Sequence, residues 1–314
     1  MNTEDTITVA EAAEIWIREC KINGLERSTL RSYRHHLDLH INPRIGDRAV
    51  SALSASDIYE FLESMLEVSS RAMTRKVLNS LRALISTALS RGIVTQNVAR
   101  DVKLKRSRRM DQEKVIPTKD EIRALIRECP EKYKPLIITA IFTGMRSSEL
   151  RGLAWDHVDF EQRVIRIRQR ADRWNKMGKP KSRAGVRDIP MAPMVFSILT
   201  SWKEKCPVGP LNLVFPNGIG NPESHWNIYH RVFKPLMVKC GIVNGDGKPK
   251  FGIHGLRHAA ASLFIEQGWS PKKIQSLIGH ASINMTFDVY GHLFSDTEGD
   301  VERMAKVERD LLAA

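Results

Sequence analysis

Four side chains in one stretch, residues 251–294, define the chemistry to look for: His254, Arg257, His280 and Tyr290. Three of them can carry positive charge and the fourth is a phenol, a set suited to attack on a phosphodiester. A phenol with a pKa near 10 is only about one part in a thousand ionised at pH 7. It needs a proton acceptor and cationic surroundings before it can attack phosphorus. Arginines suit the other half of the task, because a guanidinium stays charged and forks onto the non-bridging oxygens. Upstream, Arg146 follows Thr143-Gly144-Met145 at a junction between two helical segments, and Glu149, three residues on, reaches the same turn. Taken singly, Arg146 with Glu149 is the pattern of a structural ion pair, and Tyr290 that of a half-buried core phenol. Only together do they point to phosphoryl transfer. Neither a Walker loop nor a carboxylate cluster for magnesium is present, so no cofactor and no metal are expected.

The elements that must hold these groups are mostly helical. Thr8 and Glu11 have capping-box spacing, and Val9, Ala12, Ala13, Trp16 and Ile17 fall on one face. A second helix runs from Ser28 through Leu30, Tyr33 and Leu37, with a break expected at Asn42-Pro43-Arg44-Ile45-Gly46. A third opens at Ser54 to Asp57 and turns Ile58, Phe61, Leu62 and Met65 inward. The fourth, about Ser70 to Arg91, has Val77, Leu78, Leu81, Ile85 and Leu89 as its apolar face and Gly92 as its stop. Residues 1–102 thus read as a four-helix domain, residues 103–114 (KLKRSRRMDQEK) as an exposed basic linker, and residues 115–314 as a second domain.

In that second domain Thr118 and Glu121 form another capping box, and Tyr133 to Phe142 reads as a buried helix. Val164, Ile165 and Ile167 read as a strand, and Lys176 to Pro190 as a turn with a returning strand, Lys179 and Lys181 lying on its basic tip. Further helices follow over 191–205 and 224–240, from His254 toward Gly268, and from Pro271 to Gly279. The tail, residues 295–314, carries Val301, Met304, Val307 and Leu311 as an apolar stripe. The fold class is mainly α with a small antiparallel β-sheet in the C-terminal domain.

Over 314 residues the net charge is +13 and the pI about 9.7, a balance that suits a polyanionic partner such as double-stranded DNA. The charge is uneven: residues 1–102 are neutral, 103–114 carry +4 and 115–314 carry +9. Candidate DNA contacts are Arg71, Arg75 and Lys76, with Arg82, on the fourth helix, and Lys103, Lys105 and Arg106 in the linker. On charge alone a solvated helix face fits the first group equally well. Four widely spaced cysteines, with no CxxC pair, indicate neither a zinc site nor a disulfide framework. The start of the chain lacks a signal sequence and no apolar run reaches the roughly 18 residues of a membrane span, so a cytoplasmic protein with no membrane partner is expected.

Five segments occur in order: TGMRSSEL, PKSRAGVRDIP, HGLRH, LIGH and DVYGH. With them, most of residues 115–295 resembles the catalytic domain of the tyrosine recombinase (phage-type integrase) family, and the N-terminal helices resemble that family's core-DNA-binding domain. The resemblance implies that Tyr290 is the nucleophile, joined transiently to a DNA 3′-phosphate. Arg146 and Arg257 match the pair that binds the scissile phosphate, and His254 and His280 the two histidine-type positions. Glu149 matches the acidic residue that supports Arg146 or His254. Lys181, with Lys179 in reserve, matches the hairpin lysine that protonates the leaving 5′-oxygen. His258 and His292 read as structural.

The implied function is site-specific recombination, as an integrase or excisionase of a mobile element. The protein would act as a tetramer on two DNA sites, with an accessory directionality or DNA-bending protein as a further partner. The apolar stripe of the tail is expected to dock on a neighbouring protomer, as the resemblance implies, or to pack on its own domain. Because the helices begin within the first ten residues, recognition of one class of site, near the crossover, is expected. Two other readings stay open. A type IB-like topoisomerase would use the same residues without a partner duplex. A DNA-binding regulator without catalysis is opposed by the presence of Tyr290, Arg146 and Arg257.

Overall fold

The computed structural model describes residues 6–105, 115–294 and 300–312. The chain divides into two compact units, Met1–Gln112 and Glu113–Ala314.

In the first unit α1 (Val9–Ile22), α2 (Arg27–His36), α3 (Asn42–Ile45), α4 (Ala55–Val68) and α5 (Arg71–Ser90) enclose one apolar core. The N-termini are set locally. Thr8 and Glu11 complete a reciprocal capping box on α1, Ser54 and Asp57 another on α4, and the Ser70 side chain caps α5. The break expected over Asn42–Gly46 falls at the end of that stretch, after Ile45, and the chain stays helical through Pro43. Residues Leu37–Ile41 form a π-helical turn in which the Asn42 N–H bonds the Leu37 carbonyl, and Pro43 then sits in the first turn of α3. The wider turn shifts the register, so the missing proline N–H falls where a new helix would leave it unpaired anyway. On α5, Val77, Leu78, Leu81 and Ile85 are buried, whereas Leu89 is exposed.

In the second unit α6 (Lys119–Glu128) starts on the Thr118–Glu121 capping box, and α7 (Lys134–Thr143) is buried along nearly its whole length. Helix α7 stops at Gly144, whose φ is +61°. A Cβ there would lie 2.5 Å from Ile278 and 3.1 Å from Ala260, so only glycine allows the close approach of these elements. A short α8 (Ser147–Arg151) follows, then β1 (Val158–Asp159), β2 (Val164–Ile167), β3 (Arg170–Ala171), β4 (Met177–Gly178) and β5 (Arg187–Pro190). β1, β2 and β5 form an antiparallel sheet in that order, with Ile165 opposite Ile189 and Ile167 opposite Arg187; β3 and β4 pair as a separate hairpin. Lys179 and Lys181 therefore lie off the sheet, in the segment between β4 and a 3-10 turn at Arg183–Gly185.

The remaining helices are α9 (Pro193–Lys203), α10 (His225–Asn227), which leads through a π-helical turn into α11 (Lys234–Lys239), α12 (His254–Glu266), α13 (Pro271–Ile278), α14 (Asn284–Tyr290) and α15 (Asp300–Leu312). Helix α12 packs on α7 and α13, and a small apolar cluster of Ala260, Ala261, Ile265, Ile274 and Ile278 surrounds Tyr290. On α15, Met304, Val307 and Leu311 are exposed. Among the described residues no helix is long and apolar enough to cross a membrane, and no group of His, Cys, Asp or Glu is arranged to hold a metal ion.

Candidate active site

Arg146 is the N-cap residue of α8. Its backbone N–H donates to Glu149 Oε2 at 2.8 Å, its Nη1 to Glu149 Oε1 at 2.8 Å and its Nη2 to the Gly279 carbonyl at 2.6 Å. The helix start thus fixes one edge of the guanidinium from within four residues of sequence, and Gly279 fixes another from across the unit. Gly279 ends α13 in the left-handed region, φ +75°, which turns its carbonyl toward Arg146.

Glu149 is 2% exposed and also accepts from Arg187, Nη1 at 3.1 Å and Nη2 at 2.8 Å. Burial pushes its carboxyl up, but the Arg187 hydrogen bonds and charge, with the Arg146 backbone and charge, outweigh that and hold it below the usual carboxylate range. The carboxylate's partners are Arg146 and Arg187, so the alternative expectation that it holds His254 is corrected.

Arg187 itself was not among the sequence candidates. It is buried on β5, with Nε on the Leu277 carbonyl at 2.6 Å and Nη1 on the Gly185 carbonyl at 3.0 Å. The signal was present: Arg187 is two residues before Ile189, so strand alternation places both on the inward face.

Arg257, on α12, is 3% exposed and donates Nη1 to the Gly144 carbonyl at 2.8 Å. Burial, then the like charges of Arg146 and Arg187, press its guanidinium down to about 9, still charged at pH 7. Three arginines within mutual electrostatic reach, balanced by one carboxylate, make a pocket suited to an anion.

His280 follows Gly279 and is buried, with Nδ1 2.9 Å from Thr286 Oγ1. Burial, then Arg257 and Arg146, push its imidazole down to about 3. His280, one of the three groups able to carry positive charge, is thus held neutral near pH 7, and it can serve as a hydrogen-bond donor only through the ring nitrogen that carries its proton.

Tyr290, the last residue of α14, is 1% exposed. Burial raises its phenol to about 12, with Arg257 acting in the opposite sense. Its hydroxyl lies 2.6 Å from His258 Nδ1. His258, read from the sequence as structural, thus lies against the Tyr290 hydroxyl: on α12, residue 258 is one helical turn beyond 254 and shares its face. The expected site histidine His254 is exposed at the start of α12, its ring edge-on to that of His258 at 5.0 Å.

Lys179 and Lys181 are both exposed. Their segment leads into Ala184, whose carbonyl is 2.8 Å from where a Cβ on Gly279 would stand, so it runs beside the Arg146 end of the site. The β3–β4 hairpin before it is anchored by buried Arg151 of α8. That guanidinium donates Nη2 to the Asp172 carbonyl at 2.9 Å and to Asn175 Oδ1, and Nε to the Glu223 carbonyl at 2.5 Å.

The DNA-contact candidates lie in the first unit. Arg75, Lys76, Lys103 and Lys105 are exposed, Arg71 is half-buried with Nη1 on the Lys105 carbonyl at 2.9 Å, and Arg106 lies outside the described residues. Arg82 is corrected as part of a free basic face. Its guanidinium bonds the Ala99 and Val102 carbonyls, which holds the segment after α5 against the helix.

Residues 116–296 match the phage integrase family and residues 9–105 the phage integrase central domain. A putative prophage phiRv2 integrase of Mycobacterium tuberculosis is 26% identical over 279 residues, 87% of this chain and 71% of that protein. Among solved structures, the Tn1549 transposon integrase in complex with a circular intermediate DNA superposes with TM-score 0.81 at 23% identity, covering 96% of this chain and 99% of that one. A lambda integrase tetramer bound to a Holliday junction gives TM-score 0.71 at 18% identity, covering 90% and 80%. With both parts of the family's architecture matched in order along its length, the chain belongs to the phage integrase family and is a tyrosine-type site-specific DNA recombinase.

Proposed function

We propose that Tyr290 cleaves one DNA strand by attacking the scissile phosphate, forming a 3′-phosphotyrosine link and releasing a 5′-hydroxyl. The observation that carries this reading is the convergence of the Tyr290 phenol with buried, charged Arg257 in one folded unit, each acting on the other's ionisation. Arg146 and Arg257 hold the non-bridging oxygens. Each is anchored to protein by part of its five-donor fork, and the remaining donors serve the phosphate. Removing one such donor is expected to cost on the order of 3 kcal/mol of transition-state stabilisation. His280 donates to the same phosphate as a neutral imidazole. His254, exposed at the mouth of the site, orients the substrate, and Lys181, with Lys179 as the alternative, protonates the leaving oxygen. Glu149 and Arg187 hold Arg146 in place. The link conserves the energy of the phosphodiester, so an incoming 5′-hydroxyl reverses it.

We assign residues 1–102 to grasping the core site, with Arg71, Arg75, Lys76, Lys103, Lys105 and Arg106 on the phosphate backbone. The partner is duplex DNA of a mobile element in the cytoplasm. Assembly as a tetramer on two sites is supported by the likeness to the lambda integrase tetramer bound to a Holliday junction, and a directionality or bending protein is a further proposed partner.

The test is a suicide-substrate assay with nicked duplexes from the junctions of the element that carries this gene. The wild-type chain is expected to give a denaturation-resistant protein–DNA adduct, and Tyr290→Phe none. An adduct that persists in Tyr290→Phe would overturn the assignment. Relaxation of a supercoiled plasmid lacking the site, at the rate seen with the site, would favour the topoisomerase reading.

A further inference from the structure

The site places a histidine outside the expected set against the proposed nucleophile. His258 Nδ1 stands 2.6 Å from the Tyr290 hydroxyl, and the rings meet edge to face at 5.7 Å. Among the described residues this imidazole is the hydrogen-bond partner of that hydroxyl. Tyr290 is 1% exposed and belongs to a buried cluster with Ala260, Ala261, Ile265, Ile274 and Ile278, so solvent has little access to take its proton.

The other nearby bases are less well placed. His280 turns its Nδ1 to Thr286, and burial beside Arg257 and Arg146 strips it of proton affinity. His254 is a helical turn away at the exposed start of α12, its ring edge-on to that of His258. Arg257 is a cation at pH 7, anchored on the Gly144 carbonyl, and so has no lone pair to offer the phenol there.

We infer that His258 is a catalytic residue of this chain, the general base that takes the proton of Tyr290 during cleavage and returns it during rejoining. This rests on the reading of Tyr290 as the nucleophile. The step balances without a co-reactant. With the imidazole proton on Nε2, Nδ1 presents its lone pair to the phenol. The Tyr290 O–H bond breaks and the proton passes to Nδ1. The phenolic oxygen forms its bond to phosphorus as the bond from phosphorus to the 5′-oxygen breaks, and that oxygen takes a proton from the hairpin lysine. On rejoining, the 5′-hydroxyl returns its proton to the lysine and the imidazolium reprotonates the departing phenolate. Among the described residues, the titratable and charged groups around His258 include His254 and Arg257 on its own helix, Tyr290 on α14 and His280 after α13. The anionic phosphate then stabilises the imidazolium that forms.

The discriminating variant is His258→Asn. The asparagine side-chain oxygen occupies the place of Nδ1 and accepts the phenol's hydrogen bond, but it does not take the proton. Adduct formation on the nicked duplex is followed at single turnover from pH 6 to 9, with DNA binding checked by mobility shift. Expected is a fall of about 10²-fold near pH 7. The rate of the variant should then climb by about tenfold per pH unit, as hydroxide replaces the missing base, while the wild-type rate levels off. Rates within about threefold of wild type at every pH, or lowered by one constant factor throughout, would overturn the assignment. His258→Ala gives a second reading: added imidazole is expected to restore at least about tenfold in rate, and no restoration in a DNA-binding protein would overturn it. Tyr290→Phe runs beside both, and an adduct surviving there would fell the nucleophile reading itself rather than the role of His258.

Discussion

Replacing Arg187 by methionine tests whether the buried carboxylate beneath Arg146 is held as the geometry requires. Arg187 has a side chain 4% exposed against the 2% exposed Glu149, and it supplies two of the four hydrogen bonds that Glu149 receives. It also satisfies the Leu277 and Gly185 carbonyls. Removing one partner of a buried pair leaves the other charge uncompensated, at a cost of about 3–5 kcal/mol. For a unit of about 200 residues, each kcal/mol moves Tm by roughly 2–4 °C, so a loss on the order of 10 °C is expected in the transition of the catalytic unit.

Glu149 would then be balanced by Arg146 alone, which tightens that ion pair and draws the guanidinium from the phosphate, so cleavage falls as well. The acid limb follows the same logic. In the wild type the carboxyl pKa is depressed, so its contribution is complete above the ordinary value of 4.5 and lost as pH falls through the folded value. Arg187→Met should flatten that acid loss. The assay is calorimetry of the full chain across pH, with Glu149→Gln/Arg187→Met alongside. Removing both charges is expected to recover part of the lost stability. A single variant melting within about 2 °C of wild type, or a double variant no better than the single, would refute the reasoning.

Two further outcomes follow from the same frame. Gly279→Ala and Gly268→Ala place a Cβ at nearly the same φ, +75° and +73°, but the first meets Ala184 O at 2.8 Å and Arg187 Nη1 at 2.9 Å, whereas the second meets nothing within 4 Å. Thermal melts should show a loss of about 1–2 kcal/mol for Gly268→Ala and a larger one, with loss of cleavage, for Gly279→Ala. Arg151→Met should loosen the β3–β4 hairpin and slow cleavage by weakening proton delivery to the 5′-oxygen. A substrate with sulfur at that bridging position, which leaves without a proton, should restore the rate, and equal slowing on both substrates would count against the hairpin's role.

What the sequence by itself determined is the local part of this protein. Thr8, Ser54 and Thr118 cap their helices through side chains three residues away, and Arg146 meets Glu149 within one turn. Gly144 and Gly279 mark helix ends because backbone sterics leave few other residues that option. The ordered motifs singled out Tyr290, Arg146 and Arg257 as candidates. Tertiary structure alone decided which partners those groups meet and in what charge state. Arg187 reaches Glu149 across 38 residues and His258 reaches Tyr290 across 32. Arg82, an ordinary basic residue on a helix face, turns to carbonyls that the chain brings back 17 and 20 residues later. His280 is neutral because burial and two arginines act on it together. The physical reason is one of range. Capping and turn geometry depend on a few adjacent dihedrals, whereas desolvation and the field of neighbouring charges depend on every element packed around a group.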